Sequence, residues 1–182
     1  MIFEVELKYA LANRDELLEK LKSFQARRVG IVSQKDIYFN HPSRDFAQTD
    51  EAVRIRLTDD KTILTYKGPK LDSATKTRKE LEISLAAENS NHRDIEDFLL
   101  ATGFRKVRSV EKNRECWTLT WEKHSVDLAI DDVKDLGLFL EIEMQAKEAS
   151  LESTRHSLLQ LATALKLNDP IMQSYLELLL EC

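Results

Sequence analysis

Apolar and polar residues alternate strictly at the start of the chain. In residues 2–10 the odd positions are apolar, and the even positions between them carry Glu4, Glu6 and Lys8. A period of two places successive side chains on opposite faces of a β-strand. We therefore predict a strand over residues 2–10 that has one apolar face and one charged face.

The same alternation returns along the chain and predicts further strands. Gly68-Pro69 marks the end of the strand that contains Lys67, because this dipeptide is typical of turns. The polar stretch Lys70–Thr77 has no period, so we expect a mobile loop there. The predicted strands after the first cover residues 36–40, 52–58, 61–67, 78–85, 106–114, 115–122, 124–131 and 138–145.

Three segments have the apolar spacing of helices. We predict helices at residues 14–25, 91–102 and 151–180, the first with Asn13 as its N-cap and the second with Gly103 just past its end. Within the third segment, Asp169-Pro170 predicts the start of a separate final helix. Many antiparallel strands with few long crossovers indicate an α+β fold.

The length and composition indicate a folded globular protein. The chain has 182 residues, and we expect one domain over 1–182, with barrel strands and two helices in 1–145 and C-terminal helices in 150–182. The net charge of −5 argues against duplex nucleic acid as a partner. We see no signal peptide and no apolar run of about 20 residues, so we expect no membrane span and a cytoplasmic location. The cysteines, Cys116 and Cys182, have no metal-site spacing.

The non-apolar faces of the predicted strands carry charges of both signs. A half-exposed sheet also alternates apolar and charged residues, but it usually mixes in uncharged polar residues as well. Here carboxylates recur as Glu-x-Glu pairs, which lie on one face about 6.5–7 Å apart along the strand. The cations are Lys8, Arg54, Arg56, Lys67, Arg78, Lys112 and Arg114, and the acids are Glu4, Glu6, Glu80, Glu82, Asp127, Glu141 and Glu143.

These two kinds of charge suit a metal ion and a polyphosphate. Hard divalent cations take oxygen ligands and keep waters for substrate phosphates. Guanidinium groups match phosphate oxygens in pairs. If the charged faces line a closed barrel, its interior is polar, its apolar faces point outward, and the helices must cover the outside.

The order of these motifs resembles the CYTH family, the triphosphate tunnel metalloenzymes. The spacing of Glu4, Glu6 and Lys8 resembles the family's hallmark Glu-x-Glu-x-Lys motif. The later motifs follow in order along nearly the whole chain: Arg54 and Arg56, Lys67, the Arg-x-Glu-x-Glu of Arg78, Glu80 and Glu82, the pair Lys112 and Arg114, then Asp127, Glu141 and Glu143.

The resemblance implies a fold, a cofactor and a substrate class. It implies a closed eight-stranded antiparallel tunnel, a requirement for Mg²⁺ or Mn²⁺, and a nucleotide or other triphosphate as substrate. The segments EVELKY, KDIYF and DLGLFLEIE are most similar to prokaryotic class IV adenylyl cyclases. Sister branches hydrolyse thiamine triphosphate or inorganic triphosphate. The resemblance also makes a homodimer plausible.

From the resemblance we expect the following roles. Glu4, Glu6, Glu141 and Glu143 hold the metal, and Glu82 and Asp127 either bind a second ion or position a water. We expect Glu4, Glu6, Lys8, Lys67 and Tyr38 to take part in catalysis, although a packing role for Tyr38 stays open. The predicted phosphate-binding residues are Lys8, Arg54, Arg56, Lys67, Arg78, Lys112 and Arg114.

Three functions remain open from the sequence. The first is a nucleotide cyclase that makes cyclic AMP and pyrophosphate. The second is a triphosphatase that acts on thiamine triphosphate or inorganic triphosphate. The third is a non-catalytic polyphosphate- or nucleotide-binding module, which is disfavoured because an anion binder gains little from so many acids in its pocket.

Overall fold

The computed structural model of the protein describes residues 2–72, 74–86 and 92–181. Within these ranges the chain forms eight strands. They are β1 (Ile2–Ala10), β2 (Arg27–Asn40), β3 (Ala52–Leu57), β4 (Lys61–Lys70), β5 (Arg78–Ala86), β6 (Arg105–Trp121), β7 (His124–Val133) and β8 (Gly137–Lys147).

The strands close into a barrel in the order β1-β5-β4-β3-β2-β6-β7-β8, and all neighbours are antiparallel. Closure removes the exposed sheet edges on which another chain could pair. The predicted α+β fold, an antiparallel eight-stranded ring with helices on its outside, is confirmed.

Helices lie around the barrel, and all but the last pack against the outer, apolar faces of the strands. They are α1 (Arg14–Ser23), α2 (Phe46–Thr49), α3 (His92–Ala101), α4 (Leu151–Ala164) and α5 (Tyr175–Glu181). The odd positions of β1 form one buried cluster with the apolar faces of α1 and α4, centred on Val5, Leu7, Leu21 and Leu158. A second cluster joins β2 and β3 to α2 and α3.

Helix α5 closes one end of the barrel. At this end the inward-facing positions are apolar or aromatic instead of charged, and Tyr175 and Leu179 of α5 pack against them. The barrel interior is therefore a pocket with one sealed end, which the alternation alone did not reveal. The inward residues of this sealed end are Tyr38, Val110, Val133 and Phe139.

The structure corrects four predicted strands. β2 begins at Arg27, nine residues before the predicted start at residue 36. Residues 106–114 and 115–122 belong to one strand, β6, since no turn-forming residue separates them. β4 continues through Gly68-Pro69 to Lys70, and a register shift between Lys67 and Lys70 accommodates the proline, which lacks an N–H.

The segment 151–180 does contain two helices, α4 and a separate final helix, but the predicted start of the final helix is wrong. Asp169 has a left-handed φ of 58°, and the N–H of Ile171 donates to the Lys8 carbonyl at 2.7 Å, so the chain turns here and runs along β1. The last helix begins after Ser174 instead of after Asp169. A capping box starts it: the N–H of Glu177 donates to Ser174 Oγ at 3.2 Å, and the Ser174 N–H donates to the Glu177 carboxylate at 2.6 Å.

The other predicted helix ends agree with the structure where it describes them. Asn13 accepts a hydrogen bond from the Glu16 N–H at 3.1 Å and caps α1. Gly103 has a φ of +92° just after α3, where a left-handed residue ends a helix. The predicted start of this helix at Asn91 lies outside the described residues.

Among the helices of the described residues, none combines the length and the apolar character that crossing a membrane requires.

Candidate active site

The charged faces of the strands surround a cavity of about 290 Å³ inside the barrel. The structure places there almost every side chain that the sequence assigned to metal, phosphate or catalysis. The assigned residues that line the cavity are Glu4, Glu6, Lys8, Tyr38, Arg54, Arg56, Lys67, Arg78, Glu82, Lys112, Arg114, Glu141 and Glu143.

Asp127 is the assigned residue that the structure places elsewhere. It is exposed near the start of β7, opposite Thr118 and Glu143, and it does not line the cavity. The acid that β7 contributes to the interior is Asp131, four residues later on the same face. Asp131 has no exposed surface at all.

Asp131 organises one part of the basic wall. The Arg114 guanidinium donates to both of its carboxylate oxygens, at 2.7 and 2.6 Å, and Lys112 Nζ donates at 3.1 Å. The Tyr175 hydroxyl adds a fourth hydrogen bond at 2.9 Å. Burial alone would raise the pKa of Asp131, but the charges of Arg114 and Lys112 outweigh it and hold that pKa below its ordinary value.

Asp36 plays the same part on β2. Arg56 donates to its two oxygens at 2.7 and 2.8 Å, and Arg54 Nη1 lies 3.7 Å away. Asp36 is 2% exposed. Burial would raise its pKa, but Arg54 and Arg56 hold it well below its usual range. The two buried aspartates thus fix four basic side chains with their charged ends against the cavity.

Lys8 and Lys112 lie against the aromatic face of Tyr175. Lys8 Nζ is 3.8 Å from the ring centroid and donates to the Gln173 carbonyl at 2.8 Å. Lys112 Nζ is 4.9 Å from the same centroid. Burial, together with the charge of Lys76, lowers the pKa of Lys8 to about 7. Burial and the charge of Arg114 lower the pKa of Lys112 to about 8. An anion that enters the cavity would therefore stabilise the charged, protonated form of both lysines.

The opposite wall, on β1 and β8, is acidic. Glu6 and Glu143 face each other directly across the strand pair, and Glu4 lies two residues along β1. Burial, reinforced by Glu4 and Glu6, raises the pKa of Glu143 well above its ordinary value. Burial also raises the pKa of Glu4, and Lys67 opposes this only in part. Too little positive charge lies near these carboxylates to balance them.

Glu6 and Glu141 differ from Glu4 and Glu143, because each accepts a hydrogen bond from a cationic side chain. Lys76 Nζ donates to Glu6 Oε1 at 2.7 Å, and Arg114 donates to Glu141. Burial and Glu141 raise the pKa of Glu6, but Lys76 and Lys8 more than offset them and leave it below its ordinary value.

The third part of the lining comes from β3, β4 and β5. Lys67 pairs with Glu80 and lies 3.8 Å from Glu4. Arg54 lies 3.6 Å from Glu82, whose side chain is half exposed. These contacts connect the acidic wall to the basic wall around the ring.

The acidic wall suits a hard metal ion by its chemistry. Glu4, Glu6 and Glu143 offer only oxygen ligands, and two of the three have raised pKa values that a divalent cation would relieve. Within the described ranges, however, no three acidic, histidine or cysteine side chains converge into a ready-made metal site. One of these three carboxylates, Glu6, is hydrogen-bonded to Lys76 instead.

The sequence reasoning missed several described residues of the site, and four of them make the hydrogen bonds given above. Asp36 and Asp131 stand on predicted strands at inward positions, so the alternation could have found them. Lys76 lies in the stretch that was expected to be mobile, and Tyr175 lies in the segment that was predicted to form the final helix. Only the three-dimensional path of these two segments places their polar atoms in the barrel.

Comparison with known proteins agrees with this geometry. The sequence profile of the CYTH domain matches residues 3–171. A protein of Methanocaldococcus jannaschii named "putative adenylate cyclase" is 34% identical over 180 residues, which cover 97% of this chain and 98% of the relative. A solved structure from Pyrococcus horikoshii OT3 superposes with a TM-score of 0.85 at 37% identity and covers 98% of both chains.

A more distant structure shares the fold alone. It is a protein from Hippeastrum, named "putative adenylyl cyclase" with a dominant triphosphatase activity, at 17% identity and a TM-score of 0.65, with 100% of this chain and 96% of that one covered. The profile match over most of the chain and the relative at 34% identity establish the family. The chain belongs to the CYTH domain family.

Proposed function

We propose that this protein is a metal-dependent enzyme that binds the triphosphate group of its substrate in the barrel cavity. CYTH proteins bind triphosphate substrates and depend on a metal ion. The observation that carries the proposal is the division of the cavity into a basic wall and an under-neutralised acidic wall. A triphosphate and its metal ion need these two surfaces on opposite sides.

The balance of charge in the cavity supports a role for metal. Among the described residues that line it, eight are basic and nine are acidic. A bare triphosphate carries about four negative charges near neutral pH, so it would enter a cavity with no net positive charge. A divalent cation that comes with it reduces this excess of negative charge and lies against Glu4 and Glu143, the carboxylates with raised pKa values.

The residues divide the work accordingly. Glu4, Glu6 and Glu143 would hold the metal ion, which supplies Lewis-acid stabilisation of the charge that develops on the phosphate oxygens. Arg56, Arg114 and Lys112, on β3 and β6, would bind and orient the phosphates, and Lys8 would add a cation from β1, where its ammonium lies beside the Tyr175 ring. Because Asp36 and Asp131 already fix these cations, little reorganisation is needed when the transition state forms.

The reaction that we favour is that of a class IV adenylyl cyclase. The ribose 3′-oxygen attacks the α-phosphorus, the bond to the bridging oxygen of the β-phosphate breaks, and the hydroxyl proton goes to a base or to solvent. The products are cyclic AMP and pyrophosphate. The support is the name of the Methanocaldococcus jannaschii relative, which aligns over 97% of this chain.

Triphosphate hydrolysis is the second candidate. One observation favours it: apart from Tyr38 and Tyr175, the described cavity lining has no aromatic side chain on which a base could stack. The Hippeastrum protein named above, whose fold is shared, is described as mainly a triphosphatase. In this reaction a water attacks the terminal phosphorus and orthophosphate is released.

A direct assay tests the proposal. The protein is incubated with ATP, thiamine triphosphate or inorganic triphosphate, with Mg²⁺ or Mn²⁺, and the products are separated by chromatography. Cyclic AMP with pyrophosphate selects the cyclase, and orthophosphate selects the hydrolase. Binding without turnover selects a non-catalytic module, and neither binding nor turnover with any of the three compounds overturns the proposal.

The matched control in this assay compares two acids. Glu4→Gln should remove nearly all turnover, since it takes one charge from the acidic wall. Asp127→Asn, on an exposed side chain outside the cavity, should leave turnover within about twofold.

A further inference from the structure

The loop between β4 and β5 connects the acidic wall to a helix on the outside of the barrel. Its described residues are 71–72 and 74–77. The Leu71 N–H donates to the Thr77 carbonyl at 2.8 Å and closes the loop. Thr75 and Thr77 are fully buried. The sequence predicted a mobile segment here, whereas these residues are held by hydrogen bonds.

Lys76 is attached to Glu6 in two ways. Its backbone N–H donates to the Glu6 carbonyl at 2.9 Å, and its ammonium donates to Glu6 Oε1 at 2.7 Å. Lys76 is only 7% exposed. An ammonium at this position occupies a carboxylate that the proposed metal ion would use.

The loop itself is built around Asp72. One carboxylate oxygen accepts the N–H groups of Ala74 and Thr75 at 2.8 and 2.7 Å, and both oxygens contact Thr75 Oγ1. Thr75 Oγ1 lies 2.6 Å from Thr77 Oγ1. These bonds set the loop's path and therefore the place where Lys76 leaves it.

Arg155 joins this network from α4. Its Nη2 lies 2.8 Å from Asp72 Oδ2, and its Nε donates to Thr77 Oγ1 at 3.4 Å. The Arg155 side chain is 14% exposed, so water screens these contacts little. It also pairs with Glu152 one turn earlier on α4. Arg155 thus holds both ends of the segment that carries Lys76.

We propose that Arg155 is a positioning residue of the triphosphate site, which acts through the 71–77 loop to hold Lys76 on Glu6. This inference rests on the proposed function. In the ligand-free protein, Lys76 competes with the metal for Glu6. With Glu6 holding a metal ion, the displaced Lys76 ammonium, which already lines the cavity, would be available to bind the phosphates. Metal and triphosphate binding are thereby coupled through one side chain.

The first test needs neither metal nor substrate. Arg155→Met removes the guanidinium and keeps most of the side-chain length, and Glu152→Gln is the matched control, since it removes the helix partner of Arg155 without touching the loop. Hydrogen exchange of a peptide covering residues 71–77 should be about tenfold faster in Arg155→Met than in wild type. Glu152→Gln should leave it unchanged. Equal exchange in all three proteins would show that Arg155 does not hold the loop.

The second test separates positioning from simple damage. Calorimetry measures the binding of Mn²⁺ alone, and then the binding of inorganic triphosphate to the protein saturated with Mn²⁺. Arg155→Met should bind Mn²⁺ about fivefold more tightly and triphosphate about fivefold more weakly, because a freed Lys76 neither competes for Glu6 nor points at the phosphates. Lys76→Met should show the same two changes, each about tenfold or more.

The opposite directions of these two affinity changes distinguish a positioning role from damage to the site. A site that is merely distorted loses affinity for both ligands, and that result in Arg155→Met would overturn the proposal. Arg155→Lys, which keeps a charge for Asp72, should restore part of both affinities, whereas Lys22→Met on α1 should change neither. If wild type binds neither Mn²⁺ nor triphosphate, the proposed function fails and this inference with it. If wild type binds both and Arg155→Met equals wild type, only the inference fails.

Discussion

The two walls of the barrel cavity use the same carboxylate chemistry in opposite ways. On the basic wall, Asp36 and Asp131 are almost fully buried, and each accepts two hydrogen bonds from one arginine. Their pKa values are lowered. On the acidic wall, Glu4 and Glu143 face other carboxylates, and their pKa values are raised. Burial acts on all four groups in the same direction, so the difference comes from the neighbouring charges.

This difference separates two purposes of a buried acid. An acid that is neutralised within the protein holds cations in place and contributes to folding. An acid that is left under-neutralised costs stability until a cation arrives from outside. The comparison predicts that equivalent carboxylate-to-amide changes on the two walls will have opposite effects on stability.

Asp131→Asn should have the largest effect. It leaves Arg114 and Lys112 buried without their counter-charge, so we expect a loss of about 3–5 kcal/mol in the free energy of unfolding. Urea denaturation measures this loss. Asp127→Asn is the control on the same strand and face, and it should change stability by less than about 0.5 kcal/mol. Similar losses in both variants would remove the distinction between the buried acid and the exposed one.

Glu143→Gln should separate function from stability. It removes one of the carboxylates that repel each other, so the metal-free protein should be as stable as wild type or slightly more stable. Turnover with added metal should fall about 100-fold, as is typical when a metal site loses a ligand or its support. Unfolding curves without metal and rates with it measure the two effects. A variant that is less stable yet fully active would reverse the assignment of the acidic wall.

The sequence predicts the faces of these walls but not their partners. Alternation places Asp127 and Asp131 on the same face of β7, and nothing in the chain says which lies opposite Arg114. That choice is made by the turn at Glu122 and Lys123, two residues with left-handed φ values of 46° and 74°. Such a two-residue turn is usually signalled by Asn-Gly or Asp-Gly, and Glu-Lys carries no such signal.

Once that turn is known, the register follows. Trp121 pairs with His124, and counting back along both strands brings Asp131 opposite Arg114. A strand that slips by one residue turns every side chain to the other face, so register decides chemistry. Asp127 was predicted as a site residue from the family resemblance, and it does stand on the inward face, but the register that brings Asp131 opposite Arg114 is not readable from the sequence.

The sealed end of the barrel was hidden for a different reason. Tyr175 has the spacing of a residue on an apolar helix face, and it does pack with apolar residues there. Its hydroxyl also reaches Asp131, because α5 begins at Ser174 and lies across the end of the barrel. The local sequence pattern predicts that Tyr175 is buried. Its hydrogen bond to Asp131 depends on the path of the C-terminal segment, which the pattern does not predict.

The pH dependence of stability sharpens the comparison of the walls. An acid with a lowered pKa stabilises the fold above its unfolded value, so the contribution of Asp36 is lost as the pH falls below 3.8. An acid with a raised pKa acts in the opposite sense. From pH 4.5 up to the raised pKa of Glu143, the folded protein keeps a proton that the unfolded chain has released, and stability falls as the pH rises.

We therefore expect metal-free unfolding free energy to decline with pH above 4.5, by at most about 1.4 kcal/mol per pH unit for each such group. Urea denaturation from pH 4 to pH 7 measures the slope. Glu143→Gln should reduce it, and saturating Mn²⁺ should abolish it, because the ion takes the place of the proton. A slope that neither change affects would have to arise outside the acidic wall.

Tyr175→Phe should have the smallest effect and tests how far the basic wall depends on α5. The change removes the hydroxyl that donates to Asp131, and it keeps the ring beside Lys8 and Lys112. Burial, with the charges of Glu141 and Asp131, raises the pKa of this phenol, so the hydroxyl is a donor throughout the working pH range. We expect a loss of about 1–2 kcal/mol in the free energy of unfolding.

The affinity for inorganic triphosphate, in contrast, should stay within about twofold of wild type, since Arg114 and Lys112 still hold Asp131 in place. Tyr66→Phe removes another tyrosine–carboxylate bond, to Glu51, and serves as the control for the stability change. If Tyr175→Phe weakens triphosphate binding tenfold while Tyr66→Phe does not, the arginine and lysine alone do not fix Asp131. The basic wall would then extend into the C-terminal helix, and α5 would belong to the binding site as well as to its sealed end.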